Sequence, residues 1–131
     1  MSNYCNSRIG FICDEAKTGE LKKLYDVFYT LYEKYRYGDY IPFDEILLVY
    51  GLDSNIAPYG GEICYVGDYN DGDRYFRIST NTAWKPTPEL WDNVIKQYTG
   101  IRCVYVAEEN SGDIYINTDS ERICFPERYV I

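Results

Sequence analysis

Apolar residues recur at helical spacing over residues 20–36, where Leu21, Leu24, Tyr25, Phe28, Leu31, Tyr32 and Tyr35 share one side. Lys22, Lys23, Asp26, Tyr29, Glu33 and Lys34 occupy the wet side, so this stretch predicts the longest helix of the chain. A second helix is predicted within residues 81–100. There Thr87 offers a capping hydroxyl, Pro88 suits the first helical position because its missing N–H has no partner there anyway, and Glu89 favours the positive end of the dipole. Leu90, Trp91, Val94, Ile95 and Tyr98 form its apolar face, and Gly100 supplies a stop.

Period-two alternation marks the strands. Ile9, Phe11 and Cys13 alternate with Arg8, Gly10 and Ile12 over residues 8–13. Residues 62–67 and 74–80 flank Asp71-Gly72, a hairpin in which Phe76 and Ile78 point one way and Tyr75 and Arg77 the other. Residues 101–107 and 113–117 predict a further pair around a polar turn at 108–112. A last extended piece, 122–131, carries Pro126, which confines it to an edge or makes it irregular. Residues 43–52 read as a short helix placing Ile46, Leu47 and Tyr50 on the core, although the same apolar run suits a buried strand equally well. Residues 53–61 read as a loop. Without the short insertion the order is β-α-β-β-α-β. That order predicts an α+β fold over residues 1–131 as a single domain: a ferredoxin-like sandwich with an antiparallel sheet of four or more strands, two main helices on one face and a short helical insertion.

Two short motifs carry a family resemblance. Asn3-Tyr4-Cys5-Asn6-Ser7-Arg8-Ile9 resembles the Asn-Trp-Cys-Ser-Asn-Arg-Leu opening of the YubB-like family of uncharacterised phage and plasmid proteins, with Tyr4 in place of the Trp. Thr82-Ala83-Trp84-Lys85-Pro86 is similar to that family's Thr-Ala-Trp-Ser-Pro-Pro signature at a strand-to-helix junction, with one Pro directly after Lys85. The resemblance implies a ferredoxin-like domain and a mobile-element setting, hence the cytoplasm of a bacterial host cell. It carries no catalytic residues.

Composition narrows the chemistry. The 131 residues contain no histidine, which excludes His-assisted nucleophiles, His general bases and any zinc site that is not all-Cys or carboxylate. The five cysteines form no Cys-x-x-Cys pair and read as reduced thiols acting as small core hydrophobes, with Cys5 the most exposed. No apolar run approaches the roughly 20 residues that span a bilayer, and the N-terminus has no charged start followed by an apolar signal core, so no membrane association is expected. Asp68, Asn70, Asp71 and Asp73 are oxygen-rich, but Asp73 and Ser79 stand where a calcium loop needs glycine and glutamate. Glu108 and Glu109, with Asp113, fall in a predicted surface turn where all would be ionised, a poor acid–base set. No phosphate-loop pattern leads into a helix. Trp84 reads as an anchor of its strand-to-helix junction, with Asn81 and Thr82 holding the turn.

A net charge of −8 argues against direct nucleic-acid binding and favours a basic protein or nucleoprotein partner. The 16 tyrosines are too many for all their hydroxyls to be buried cheaply, so some must serve the surface. The partner-binding candidates are therefore Tyr35, Tyr37, Tyr40, Asp68, Tyr69, Asp71, Asp73, Glu108 and Glu109. The expectation is a non-enzymatic acidic binding protein without cofactor or metal, of phage or mobile-element origin. Its most concrete form is an inhibitor that occupies the basic groove of a host nucleic-acid-targeting defence complex, of anti-CRISPR or anti-restriction type. The alternative is a small carboxylate-based, metal-dependent enzyme or ligand-binding domain. A homodimer through an exposed edge strand is a further expectation.

Overall fold

The computed structural model describes residues 4–35, 40–57, 60–83, 87–109 and 115–125. These form an α+β fold: six antiparallel strands and three α-helices among the described residues. In chain order they are β1 (Tyr4–Cys13), α1 (Thr18–Lys34), β2 (Ile41–Pro42), α2 (Phe43–Tyr50), β3 (Glu62–Val66), β4 (Tyr75–Ala83), α3 (Pro88–Ile95), β5 (Ile101–Glu109) and β6 (Tyr115–Asn117). The sheet order is β2-β3-β4-β1-β5-β6. Because β4 is antiparallel to both β1 and β3, the β1-α1-β3 and β4-α3-β5 connections each return to a parallel strand with another strand between, giving two interleaved split β-α-β units.

The alternation in β1 and β4 divides the sheet into a helix-covered face and an opposite face. Ile9, Phe11 and Cys13 from β1 and Phe76 and Ile78 from β4 pack with Leu21, Leu24 and Phe28 of α1, Phe43 and Ile46 of α2, and Leu90, Trp91 and Val94 of α3. All three helices thus share one core. Aromatic rings dominate it: Phe11 lies 5.6 Å from Phe28 and 5.3 Å from Phe76, and Trp91 meets Phe43 edge-on at 5.4 Å.

Of residues 43–52, read as a short helix although a buried strand suits them equally, Phe43–Tyr50 form α2. Its C-cap is Gly51 with φ +63°, a left-handed stop that a buried strand would not need. Thr87 does not act as the expected cap: it makes no side-chain capping bond, and its hydroxyl is buried without a partner among the described residues. Pro88 does stand at the start of α3, but the helix ends at Ile95, short of Gly100. β1 begins at Tyr4, earlier than the alternation indicated, because Cys5 and Ser7 continue its buried side with small groups. β5 runs on through Glu108 and Glu109, so these two belong to a strand and not to a turn. Cys5 is buried rather than exposed. Of the terminal segment, residues 122–125 are not a strand, and the remainder lies outside the described residues, as do Trp84, Tyr37 and Asp113.

Among the described residues, the opposite face of the sheet is covered on one side only. Ile12 and Val106 pack there with Cys124 and Phe125, and Val104 and Ile123 join them. The close approach requires Gly10, where an added Cβ would stand 2.6 Å from the Cys124 sulfur and 2.9 Å from its Cβ.

Trp91 is 1 % exposed and its indole N–H has no partner among the described residues. Trp91→Ala is expected to cost about 3–5 kcal/mol in urea unfolding, as large-to-small aromatic truncations do. Trp91→Phe should cost less than half of that, because it keeps a ring in place and removes an unpartnered buried donor.

Candidate functional site

The half of the sheet that residues 123–125 leave open is built from cross-strand neighbours. Arg8 of β1 stands opposite Ser79 of β4, and Ser79 opposite Tyr65 of β3, so the three share one row and one face. Two residues along β4 comes Arg77, opposite Gly10, and two further comes Tyr75, opposite Ile12. Asn6 and Asn81 face each other at the other end. Tyr65 is 51 % exposed and Tyr75 38 %. A shallow hollow of about 380 Å³ lies over this row, lined by Arg8, Arg74 and Arg77 and by both tyrosines, with Asp68 and Asp73 sharing its wall. A second hollow of about 270 Å³ adjoins it through Arg8 and Ser79 and carries Asn6, Asn81 and Glu108.

The C-terminal loop fixes the arginines. Asp119, 1 % exposed, accepts the backbone N–H of Cys124 at 2.7 Å and of Phe125 at 2.9 Å through one carboxylate oxygen. Asn117 closes the same loop, its amide donating to the Phe125 carbonyl at 3.3 Å and its side-chain oxygen accepting from the Asp119 N–H at 2.8 Å. The loop so held presents the Phe125 ring 5.2 Å beneath the Arg8 guanidinium and offers the Cys124 carbonyl to Arg77 at 3.3 Å. Arg74 donates from Nε to the Cys13 carbonyl at 3.4 Å. Neither Arg74 nor Arg77 has an ion pair among the described residues.

The residues singled out from sequence fall into separate places. Tyr69 is not a free surface ring: it stacks on Tyr25 at 5.0 Å, meets Phe76 edge-on at 6.3 Å, and its hydroxyl donates to the Thr18 carbonyl at 3.3 Å. Tyr35 likewise donates to Glu45 at 2.8 Å, and Lys34 binds the same carboxylate, so those two bonds hold the Glu45 carboxyl below its ordinary range. Tyr40 is exposed and stands directly before β2. Asp68 and Asp71 are exposed in the β3–β4 connection and make no ion pair among the described residues. Asp73 closes that connection by accepting the Asn70 N–H at 2.8 Å. Glu108 lines the second hollow; of Glu109 the backbone is described, and Tyr37 lies outside the described residues. Sequence reading missed Arg8, Arg77 and Tyr65 as a group because they are far apart in the chain and meet only through strand register. It also missed Leu48 and Val49, which α2 leaves exposed.

Among the described residues no group of three or more Cys, Asp or Glu side chains converges to hold a metal ion, and no helix is long and apolar enough to cross a membrane. The thiols are free. Burial pushes the Cys103 and Cys124 thiols up to about 12, far from the thiolate state that nucleophilic chemistry needs. Comparison with protein-family models, curated proteins and solved structures gives no match to the chain.

Asp119→Ala strands two buried N–H groups, and its expected cost is about 2–4 kcal/mol in urea unfolding. Asp119→Asn keeps an acceptor oxygen and should cost clearly less. A pH dependence follows from the thiols. The folded pKa values lie above the ordinary 9.0, so the folded state holds protons that the unfolded chain releases as pH passes 9. Their contribution is complete below pH 9 and is lost as pH rises toward about 12. The urea midpoint should fall steeply across that window, and less steeply in Cys124→Ala.

Proposed function

We propose that this chain is a non-enzymatic binding protein that docks on a basic protein partner through the acidic connection between β3 and β4. The observation that carries the reading is the anchoring of that connection. Tyr69 is clamped between Tyr25, Phe76 and the Thr18 carbonyl, while Asp73 closes the turn over Asn70, so Asp68 and Asp71 project from a fixed base. Carboxylates held in this way lose little conformational entropy on meeting a cationic surface. The overall charge of −8 adds long-range attraction toward such a surface and speeds encounter.

The sheet supports a finer reading of the architecture as ferredoxin-like, since two interleaved split β-α-β units with helices on one face are the features of that arrangement. The resemblance carried by the sequence motifs at residues 3–9 and 82–86 adds the mobile-element setting. In that setting the most specific form of the proposal is an inhibitor filling the cationic groove of a nucleic-acid-targeting defence complex. The edges of the described sheet, β2 with two residues and β6 with three, are short templates for strand pairing, which weighs against an edge-strand homodimer.

Affinity capture from bacterial lysate should recover a basic protein or nucleoprotein, and its retention should fall as salt rises from about 0.05 to 0.5 M through screening. Asp68→Lys combined with Asp71→Lys should slow association about tenfold or more with little change in melting temperature. Capture that ignores both ionic strength and these two substitutions would contradict the proposal.

A further inference from the structure

Net charge is an average, and recognition is local. Arg8, Arg74 and Arg77 surround one hollow in a chain that is otherwise rich in acid, and no lysine lines it. Guanidinium groups suit a phosphate better than ammonium groups do, because their planar fork delivers two parallel N–H bonds. Arg74 and Arg77 each give one N–H to a backbone carbonyl, which fixes the plane of each group, and neither is neutralised by a carboxylate among the described residues. The positive charge of this pair is therefore oriented and makes no ion pair among the described residues, with Asp68 and Asp73 on the wall of the same hollow. Beside it Tyr65 and Tyr75 expose their rings on the same face, where a strand tyrosine gains most by having something laid over it.

Shape decides between a free small molecule and a chain. A small-molecule site encloses most of its ligand. Here two shallow hollows run into each other across β3, β4 and β1, and the second offers the facing amides of Asn6 and Asn81. Guanidinium donors, exposed rings and side-chain amides on an open sheet are the groups that hold the phosphates, base planes and base edges of an unpaired strand.

We propose that the open half of the sheet binds a short stretch of single-stranded nucleic acid, with phosphates at Arg77 and Arg74, a base laid on Tyr65, and base edges reaching Asn6 and Asn81. This surface adjoins the acidic connection that meets the basic partner and shares Asp68, Asp73 and Arg74 with it, so the two activities are told apart at Tyr65 and Arg77, which lie on the strands outside that connection. Asp68 and Asp73 on the wall of the larger hollow bound the footprint. A longer strand runs into carboxylates, so affinity does not increase with length beyond the few nucleotides that the two hollows hold.

The test is fluorescence anisotropy of the intact chain with labelled single-stranded RNA and DNA of about ten nucleotides, a matched duplex and a strand about twice as long. Binding of the single strands should be saturable at low salt and at least about tenfold tighter than that of the duplex. Its logarithmic salt slope should lie near −1.4, as two phosphate contacts on a single strand give. Tyr65→Ala should weaken binding about fivefold or more through lost stacking. Arg77→Gln should weaken it comparably and flatten the slope by about 0.7, whereas Asp68→Asn should tighten it. All three are surface changes, and an unaltered circular dichroism spectrum and melting temperature confirm that each variant is folded. The proposal is overturned by absence of saturable binding at low salt, by equal affinity for the duplex, by equal displacement with polyglutamate, or by affinity that neither Tyr65→Ala nor Arg77→Gln changes in a folded variant.

Discussion

Asp119 is a carboxylate almost wholly out of solvent, with one oxygen shared by two successive backbone N–H groups. Hydrogen bonds to a charged acceptor are worth about 1.5–3 kcal/mol each, enough to offset the desolvation of one such group when the geometry is good. Their effect is to curl residues 119–125 into a compact loop whose Cys124 lies on the bare backbone of Gly10 while Phe125 packs with Ile12 and Val106. That contact divides the face of the sheet turned away from the helices. One half becomes a small second core with Ile12 and Val106; the other half is left to Arg8, Arg77, Ser79 and Tyr65.

The two halves depend on each other. The loop that buries Ile12 also supplies the ring beneath Arg8 and the carbonyl that holds Arg77, so the geometry of the open half derives from the covered half. On the far side of the sheet an aromatic core around Phe11, Phe28, Phe76 and Trp91 fixes the strands from which these residues project. The same rigidity extends to the β3–β4 connection, where Tyr69 ties an acidic turn to α1. A rigid sheet thus carries guanidinium groups on its open face beside the aspartates of the adjoining connection.

Helical spacing made α1 legible in the sequence, and alternation did the same for β4, because each element buries one side only and the apolar residues record it. The ambiguity at α2 was real. Its apolar run fits both periods, and the deciding feature is the left-handed Gly51, one turn signal that lies outside the run itself. Cys5 and Ser7 concealed the start of β1, since small residues fill a buried face without an apolar signature. Tyr69 was readable as an aromatic among aspartates but not as an anchor, for its partners Tyr25 and Phe76 come from two other elements. Asp119 left no local mark at all: its partners are five and six residues on, and a lone aspartate in a polar stretch resembles any other. The arginine and tyrosine row was invisible for a related reason, because only the register of β1, β4 and β3 places its members together.

The loop around Asp119 is a seated part of the fold and so determines which half of the sheet stays open. Amide hydrogen exchange read at Cys124 and Phe125 tests this most directly. Both amides should be protected to about the same degree as those of Ile9 and Phe11 in the central strand. Exchange of both at the rate of an unfolded chain, with β1 still protected, would contradict it.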